Sequence, residues 1–251
     1  MENPNTRFTI IHPEARVGKR VKIGNFVIIG KGVELEKDVY IANGVHIYGH
    51  ALIKEGTYIG DNCIIGHPQR SHLTRIYEER LDPCEFEGPN VRIGKNCVIR
   101  GGCIIYSEVI MGENCQTGHN VMIREKTEIS DNTLVGTNTI IDGNVKIGKN
   151  VSIQTGVYIP LHSEIENDAF LGPYTKLTND KYMLRKEYDL QGPIIEDHVS
   201  LGANSVILPG ITIKKRTVIG AGAVVTKDTN EGDIIIGNPG RLLKKIPEDW
   251  K

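Results

Sequence analysis

The stretch Ile93–Ile123 reads IGKNCVIRGGCIIYSEVIMGENCQTGHNVMI, and an apolar or small residue returns in it at every sixth position. The same frame continues unbroken to Leu177, and it also runs through Ile11–Ile65 and Ile195–Val225. Four residues after each of these anchors, the side chain is small or β-branched almost throughout, with Gln69 as an exception. Gly, Asp or Asn commonly follows the anchor, as in a tight turn that needs a permissive backbone. The chain is therefore built from a six-residue repeat.

This period matches neither the 3.6 residues of a helix turn nor the strict alternation of a hairpin sheet. It does fit short strands separated by turns, with three hexads closing one coil of eighteen residues. Both the anchor and the small residue then point inward, and successive coils pair their backbones about 4.8 Å apart. The pattern resembles the hexapeptide-repeat, left-handed parallel β-helix, which implies an all-β fold over residues 11–229.

Composition sets the broad class of the protein. The 251 residues carry 30 basic and 31 acidic side chains, a formal net charge of -1. This balance argues against nucleic acid or an anionic membrane as the partner. No apolar run approaches the roughly 18–20 residues of a membrane span, and MENPNTRFTIIHPEAR lacks the features of a signal peptide. We therefore expect a cytoplasmic protein with neither a membrane nor a nucleic-acid partner.

Cysteine positions follow the repeat. Cys63, Cys97, Cys103 and Cys115 occupy the small inward position, whereas Cys84 lies outside the frame. We predict buried, unreactive thiols for these four, with no metal bound and no disulfide.

Two interruptions and a changed ending divide the chain. The frame breaks at about 66–92 and again at about 178–193, which predicts two excursion loops from the coil. Loops on such a regular scaffold commonly carry function. Residues 1–237 are predicted to form the β-helix domain, and residues 238–251 a basic tail with a short C-terminal helix after Pro239.

The ending contains GAGAVVTKD at 220–228 and IGNPGRLLKKI at 236–246. It is similar to the ending of coenzyme A-dependent acetyltransferases of the same fold. The resemblance implies acetyl-CoA as the co-substrate, lying in a groove along small residues with basic side chains at its phosphates. The residues to which it assigns this role are Gly202, Ala203, Ala221, Gly222, Thr226, Lys227, Asn238, Pro239, Arg241 and Lys244.

The segment FLGPYTKLTND at 170–180 resembles the Gly-Pro…Phe-Thr-Asn-Asp motif of bacterial N-acetyltransferases that modify nucleotide-linked amino sugars, with Leu177 in place of the Phe. The loop from Thr178 to Pro193 contains no histidine. The maltose and galactoside O-acetyltransferases have a histidine-bearing loop at this place. The resemblance thus favours N-acetylation, with Thr178, Asn179 and Asp180 binding a nucleotide-sugar acceptor used for cell-surface polysaccharide.

Histidines are the candidates for the catalytic base. His162 lies eighteen residues before Asp180, which predicts that the carboxylate orients the imidazole from the next coil. His119 is the second candidate. The family's catalytic asparagine has no counterpart, because Gln154-Thr155-Gly156 stands at its position.

Three alternatives remain at this point. A sugar O-acetyltransferase would use the same donor. A γ-class carbonic anhydrase has this fold with a three-histidine zinc site, and His67 and His72 have a suggestive spacing. A non-catalytic β-helix scaffold would have degenerate coenzyme residues. The resemblance also implies a homotrimer, because relatives place coenzyme A between neighbouring prisms.

Overall fold

The coils of the computed structural model repeat every eighteen residues, and their strands are mostly two residues long. The structure describes residues 8–86, 88–247 and 250. The chain divides into two compact units, Met1–Lys126 (unit 1) and Thr127–Lys251 (unit 2). Each unit is built from three parallel sheets, and the chain moves from one sheet to the next at each turn. The predicted all-β, left-handed β-helix of hexapeptide repeats is confirmed.

Unit 1 has sixteen strands among its described residues. They are β1 Ile10–Ile11, β2 Arg16–Val17, β3 Lys22–Ile23, β4 Ile28–Ile29, β5 Glu34–Leu35, β6 Tyr40–Ile41, β7 His46–Ile47, β8 Ala51–Ile53, β9 Tyr58–Ile59, β10 Ile64–His67, β11 Val91–Ile93, β12 Val98–Ile99, β13 Ile104–Tyr106, β14 Ile110–Met111, β15 Gln116–Thr117 and β16 Met122–Ile123. The first sheet is β1-β4-β7-β10-β13-β16, the second β2-β5-β8-β11-β14 and the third β3-β6-β9-β12-β15.

Unit 2 continues the count with seventeen strands in its described part. They are β17 Glu128–Ile129, β18 Leu134–Val135, β19 Ile140–Ile141, β20 Lys146–Ile147, β21 Ser152–Ile153, β22 Tyr158–Ile159, β23 Glu164–Ile165, β24 Phe170–Leu171, β25 Lys176–Leu177, β26 Ile194–Ile195, β27 Ser200–Leu201, β28 Val206–Ile207, β29 Thr212–Ile213, β30 Val218–Ile219, β31 Val224–Val225, β32 Asp233–Ile236 and β33 Arg241–Lys245. Its first sheet is β19-β22-β25-β28-β31, its second β17-β20-β23-β26-β29 and its third β18-β21-β24-β27-β30-β32-β33.

Most anchors end a strand and point into the core; Ile11 and Val17 of the first two strands are exposed. Ile47, Ile105, Ile159 and Leu201 all have no solvent exposure, as the six-residue frame predicts. The third residue after the anchor has a positive φ at nearly every turn, for example Asn62 at 57° and Gly102 at 77°. This left-handed position explains the Asn and Gly of the repeat, because both tolerate it better than other residues do.

The first excursion leaves the coil after His67 and returns at Val91. It contains helix α1, Arg70–Glu79, and a 3-10 helix, Pro83–Glu85. Phe86 is buried, and its ring contacts the rings of Tyr48 and His72 at centroid distances of 6.4 and 5.5 Å. The second excursion joins Leu177 of β25 to Ile194 of β26.

The predicted C-terminal helix is wrong. After Pro239 the chain forms β33, which pairs antiparallel with β32 in the third sheet of unit 2. The turn Gly237–Gly240 sends the chain back along β32, and β33 then satisfies the backbone groups of the β32 edge. The Lys245 ammonium lies 2.7 Å from the Asp233 carboxylate and holds the pair of strands together. In the described part of the tail, Arg241–Lys245 is therefore sheet rather than a helical appendage.

Candidate functional site

The base of the second excursion is fixed by the residues predicted to bind the acceptor. Thr178 donates its hydroxyl hydrogen to the Ile207 carbonyl at 3.0 Å. The Asn179 side chain donates to the Leu161 carbonyl at 3.3 Å, and the Asn179 carbonyl accepts from the Gln191 N–H at 3.0 Å. Both side chains are thus tied to neighbouring coils, and both are only partly exposed.

Asp180 does not orient His162, and this prediction is wrong. The Asp180 carboxylate accepts hydrogen bonds from three backbone N–H groups of its own loop, those of residues 182–184. His162 instead has Nδ1 2.6 Å from the side-chain nitrogen of Asn144. The turn explains both outcomes, because Asn144 sits directly under His162 in the coil, whereas the chain bends away at Asp180 to enter the excursion.

His162 remains an accessible imidazole. It is exposed and occupies the left-handed position of its turn, with φ 65°. Its contact with Asn144 leaves Nε2 facing away from that neighbour.

His119, the second predicted base, belongs to unit 1 and is also exposed. Within its turn, His119 lies one position earlier than His162 does in its own turn, just before Asn120. A Cβ placed on Gly101 would lie 3.7 Å from Nδ1 of His119, so the glycine leaves room beside the imidazole.

The predicted donor residues form two groups within unit 2. The first group is a turn between the third and first sheets, where Gly202 and Ala203 lie against Ala221. A Cβ on Gly202 would stand 2.5 Å from the Ala221 nitrogen, so only glycine fits there. Gly222 has φ 70°, and nothing lies within 4 Å of the position of its missing Cβ. The corner is therefore open and free of bulky side chains.

Asn238 and Pro239 lie in the turn that is hydrogen-bonded to Val224 of β31. The Val224 N–H donates to the Gly237 carbonyl at 3.0 Å, and the Gly240 N–H donates to the Val224 carbonyl at 2.7 Å. The intervening Asn238 and Pro239 are exposed, and the peptide bond between them is cis.

The second group lines a cleft of about 420 Å³ on the other side of β31. Thr226, Lys227 and Arg241 contribute to its walls, together with Asp233 and Gly240. Lys227 and Arg241 are both exposed. Lys244 lies on the same strand as Arg241, is exposed, and pairs with Ile234. Lys227 and Arg241 thus line one cleft, hereafter the basic cleft, whose walls also include the carboxylates of Asp228 and Asp233, whereas Lys244 lies outside its lining.

A second cleft, of about 380 Å³, adjoins the first one at Thr226. Its polar lining is Thr178 and Asp180 of the predicted acceptor segment with Lys181 and Thr226, and its apolar lining, which gives it the name apolar cleft, is Met183, Leu208, Pro209 and Ile211. Sequence reasoning missed these four residues. The hexad frame indicates that Leu208 and Pro209 occupy a turn, but the frame alone does not show that the excursion folds back onto that turn.

The four cysteines of the repeat are buried, as predicted. Cys63, Cys97, Cys103 and Cys115 are completely buried and form no disulfide, and Cys84 is half-buried. The neighbouring Cys103 thiol, with burial, raises the pKa of Cys63, and the Cys115 thiol, with burial, does the same for Cys97. The Cys63 and Cys97 thiols therefore stay protonated, whereas hydrogen bonds from Cys63 and Thr117 outweigh burial and lower the pKa of the Cys103 thiol to about 7.

The two histidines considered for zinc have different neighbours. The His67 ring packs on Tyr106 at 4.6 Å, and the His72 ring contacts Phe86. No group of three histidine, cysteine or carboxylate side chains able to hold a metal ion occurs among residues 8–86, 88–247 and 250. In the same part of the chain, no helix combines the length and apolar character needed to cross a bilayer.

Comparison with known families accounts for the repeat. The model of the bacterial transferase hexapeptide family, which describes six repeats, matches residues 14–49, 90–125, 126–160 and 192–227. These segments make up more than half of the chain. The protein therefore belongs to the hexapeptide-repeat transferase family.

Curated relatives match over shorter segments. A putative acetyltransferase of Schizosaccharomyces pombe is 37% identical over 91 residues, which are 34% of this chain and 44% of the relative. The 2,3,4,5-tetrahydropyridine-2,6-dicarboxylate N-acetyltransferase of Clostridium perfringens is 45% identical over 58 residues, 23% of this chain and 25% of the relative. The chain thus spans less than half the length of either relative.

Among solved structures, the UDP-N-acetylglucosamine acyltransferase of Bacteroides fragilis is similar with 22% identity and a TM-score of 0.45. The match covers 98% of this chain and 74% of that protein. The hexapeptide-repeat acetyltransferase of Vibrio cholerae, solved with acetyl coenzyme A, shares 25% identity over 45% of this chain and 71% of its own, with a TM-score of 0.38.

Asp233 offers a test of the wall of the basic cleft. Burial on its own raises the pKa of the Asp233 carboxyl, but the Lys245 ammonium and the N–H groups of Asn230 outweigh it and hold the pKa below its ordinary value. A carboxyl with a lowered pKa in the folded chain stabilises the fold at neutral pH, and this contribution is lost as the pH falls through the folded pKa. Asp233→Asn should therefore lower the free energy of unfolding at pH 7. The difference in unfolding free energy between the variant and the native chain, called the gap here, should shrink at pH values below the ordinary carboxyl pKa of about 3.9.

Urea unfolding between pH 7 and pH 3 measures this gap. Asp189→Asn, which alters an exposed carboxylate of the second excursion, is the control and should show no comparable gap. A gap for Asp233→Asn that stays constant over the whole pH range would contradict the ionic role of Asp233.

Proposed function

We propose that the protein is an acyl-CoA-dependent transferase that acetylates an amino group on a nucleotide-linked sugar, in the synthesis of cell-surface polysaccharide in the cytoplasm. The observation that carries this proposal is the meeting of two clefts at Thr226. One cleft contains the cations suited to a donor's phosphates, and the other contains Thr178 and Asp180 of the acceptor segment. Membership of the hexapeptide-repeat transferases and the named activity of the relatives support it.

The donor would bind across β31. Its phosphates would pair with Lys227 and Arg241 of the basic cleft and with Lys244 on the same strand as Arg241, because neighbouring cations suit a polyanion. The open corner at Ala221 and Gly222 would let the pantetheine arm approach the backbone, where its amides find hydrogen-bond partners. The pantetheine arm would fit because Ala221 has only a methyl group and Gly222 has no side chain, and a bulky residue at either position would fill the space.

The reaction would be attack of the neutral acceptor amine on the thioester carbonyl. A C–N bond forms, the C–S bond breaks, and the sulfur leaves as the thiol of coenzyme A with the proton that the amine gives up. Holding the amine next to the carbonyl supplies much of the rate, because orientation replaces a bimolecular encounter. Backbone N–H groups near the corner would stabilise the oxyanion.

A screen of UDP- and dTDP-linked amino sugars with acetyl-CoA, read by released thiol, tests the activity. Arg241→Ala should raise the donor KM about tenfold or more with little change in kcat, because uniform binding is lost. Lys146→Ala, which removes an exposed cation on the second sheet, is the control and should leave both constants unchanged. An unchanged donor KM in Arg241→Ala would contradict the donor site. Thiol release with hydroxyl acceptors alone would indicate O-acetylation instead.

The identity of the catalytic base can be tested by substitution of histidines. His162 is our first choice to accept the proton of the amine, and His119 is the second. The alanine variant of the true base should lose roughly 10²–10⁴-fold in kcat. His198→Ala is the matched control, since His198 is exposed and, like His162, left-handed at its turn, with φ 57°. The three variants are compared over pH 6–9, and full activity with an unaltered pH profile in both His162→Ala and His119→Ala would remove histidine from the mechanism.

We also propose that the chain forms a homotrimer. In each unit, the outward positions of the first sheet are mostly apolar, as at Ile28, Ile104 and Tyr158, whereas the second sheet presents charges such as Arg92 and Lys146. A mostly apolar face favours burial against another copy. Light scattering should give three times 27.8 kDa. Ile104→Glu should lower that mass, while Arg92→Glu should not, and an active native monomer would contradict the trimer.

A further inference from the structure

The tip of the second excursion is built around one carboxylate. Oδ1 of Asp180 accepts the N–H groups of Tyr182 and Met183 at 2.9 and 2.8 Å, and Oδ2 accepts the N–H of Leu184 at 3.0 Å. The Arg185 N–H then closes the tip on the Tyr182 carbonyl at 3.0 Å. Both oxygens of Asp180 are therefore used to shape its own loop.

The backbone at this tip is strained. Met183 and Leu184 both have left-handed conformations, with φ 51° and 64°, and neither is a glycine or an asparagine. A left-handed backbone is unfavourable for such residues and persists only where the surroundings impose it. The N–H groups of both strained residues bond to Asp180, so the carboxylate is the group that imposes this conformation.

The two strained side chains face different spaces. Met183 is 74% exposed and lines the apolar cleft with Leu208, Pro209 and Ile211. Leu184 is 94% exposed and lines a separate cavity of about 530 Å³ with Asp189 and Leu190. Left-handed residues with large side chains also occur at turns of the coil, as at Phe26 and Tyr174, but Met183 and Leu184 are consecutive and lie in the excursion, so the six-residue turn does not account for them.

We propose that Asp180 is a positioning residue that holds Met183 as a wall of the subsite for the acceptor's sugar ring. This inference rests on the proposed function. The cleft's volume of about 380 Å³ lies at the small end of the range for ligand pockets, so it suits one ring rather than a whole nucleotide sugar. The apolar walls would pack on the C–H face of the ring. At the rim, the Thr178 oxygen has acceptor capacity left after its bond to Ile207.

Holding Met183 in place is a different role for Asp180 from orienting a catalytic base, and kinetic measurements distinguish the two. Asp180→Ala and Met183→Ala should each raise the acceptor KM tenfold or more, with the donor KM and the pH profile of kcat unchanged. Asp180→Asn keeps one oxygen for Tyr182 and Met183 and should recover part of the loss. Leu184→Ala is the matched control, since its backbone is equally strained but its side chain lies outside the cleft, and it should bind the acceptor normally. The probes are acetyl-CoA and the nucleotide-linked amino sugar with the fastest thiol release.

The double variant Asp180→Ala/Met183→Ala completes the cycle. Because Asp180 acts through Met183, the second substitution should add little to the first. Fully additive losses, or a displaced pH profile in Asp180→Asn with an unchanged acceptor KM, would overturn the proposal.

Hydrogen exchange of residues 182–184 separates this proposal from the proposed function. Asp180→Ala should lose amide protection at all three positions while Met183→Ala keeps it. Retained protection in Asp180→Ala would overturn the positioning role whether or not the protein transfers an acyl group. A different outcome is that Asp180→Ala loses protection as expected but the native protein releases no thiol with any acceptor. That outcome would overturn the proposed function and, with it, the sugar subsite.

Discussion

Parallel backbone pairing between successive coils is the constraint on which the fold depends. Within each unit, residues eighteen apart face one another, as in the pairs Ile28 with His46 and Lys146 with Glu164. Such pairing at one fixed register leaves room for only two or three residues per strand wherever the hexads are uninterrupted, and it forces a sharp turn at every hexad. The anchors must then fill the interior, and the third residue after each must accept a left-handed backbone. The sequence repeat is the consequence of this one geometry.

The same constraint decides where the chain can leave the coil. A strand cannot be interrupted without losing its bonds to both neighbours, so insertions are tolerated at turns. The second excursion follows this rule, because it begins directly after Leu177 of β25 and ends at Ile194 of β26. Its return is fixed by the Gly210 N–H, which donates to the Gln191 carbonyl at 2.9 Å. A loop pinned in this way can carry a strained tip at Met183, because the coil on either side supplies the rigidity.

The interior of the protein was predictable from the sequence, since a period of six leaves few alternatives for where Ile105 or Cys103 can point. The same period placed the two excursions between the correct strands. The site was less predictable. Register alone brings Asp180 above His162, yet the carboxylate bonds to its own loop, because three nearby N–H groups compete better than an imidazole on the coil below. A six-residue period carries no information on local hydrogen bonds of this kind, so it predicts neither the contact of Asn144 with His162 nor the position of Met183.

The C-terminal hairpin shows how an error in secondary structure changes the interpretation of a site. Read as a helix, residues after Pro239 would form a separate tail whose cations could contact any surface. As strand β33, they continue the third sheet of unit 2. The pairing of Arg241 with Ile236 fixes the backbone position from which the Arg241 side chain extends. The turn that precedes β33 also packs on Val224, one residue from the strand end that leads to Thr226. Strand β33 therefore supplies Arg241 and Leu242 to one wall of the basic cleft, and it supplies no residue to the apolar cleft. The residue that lines both clefts is Thr226, which follows β31, so the two clefts meet at the end of a coil strand that the six-residue period does predict.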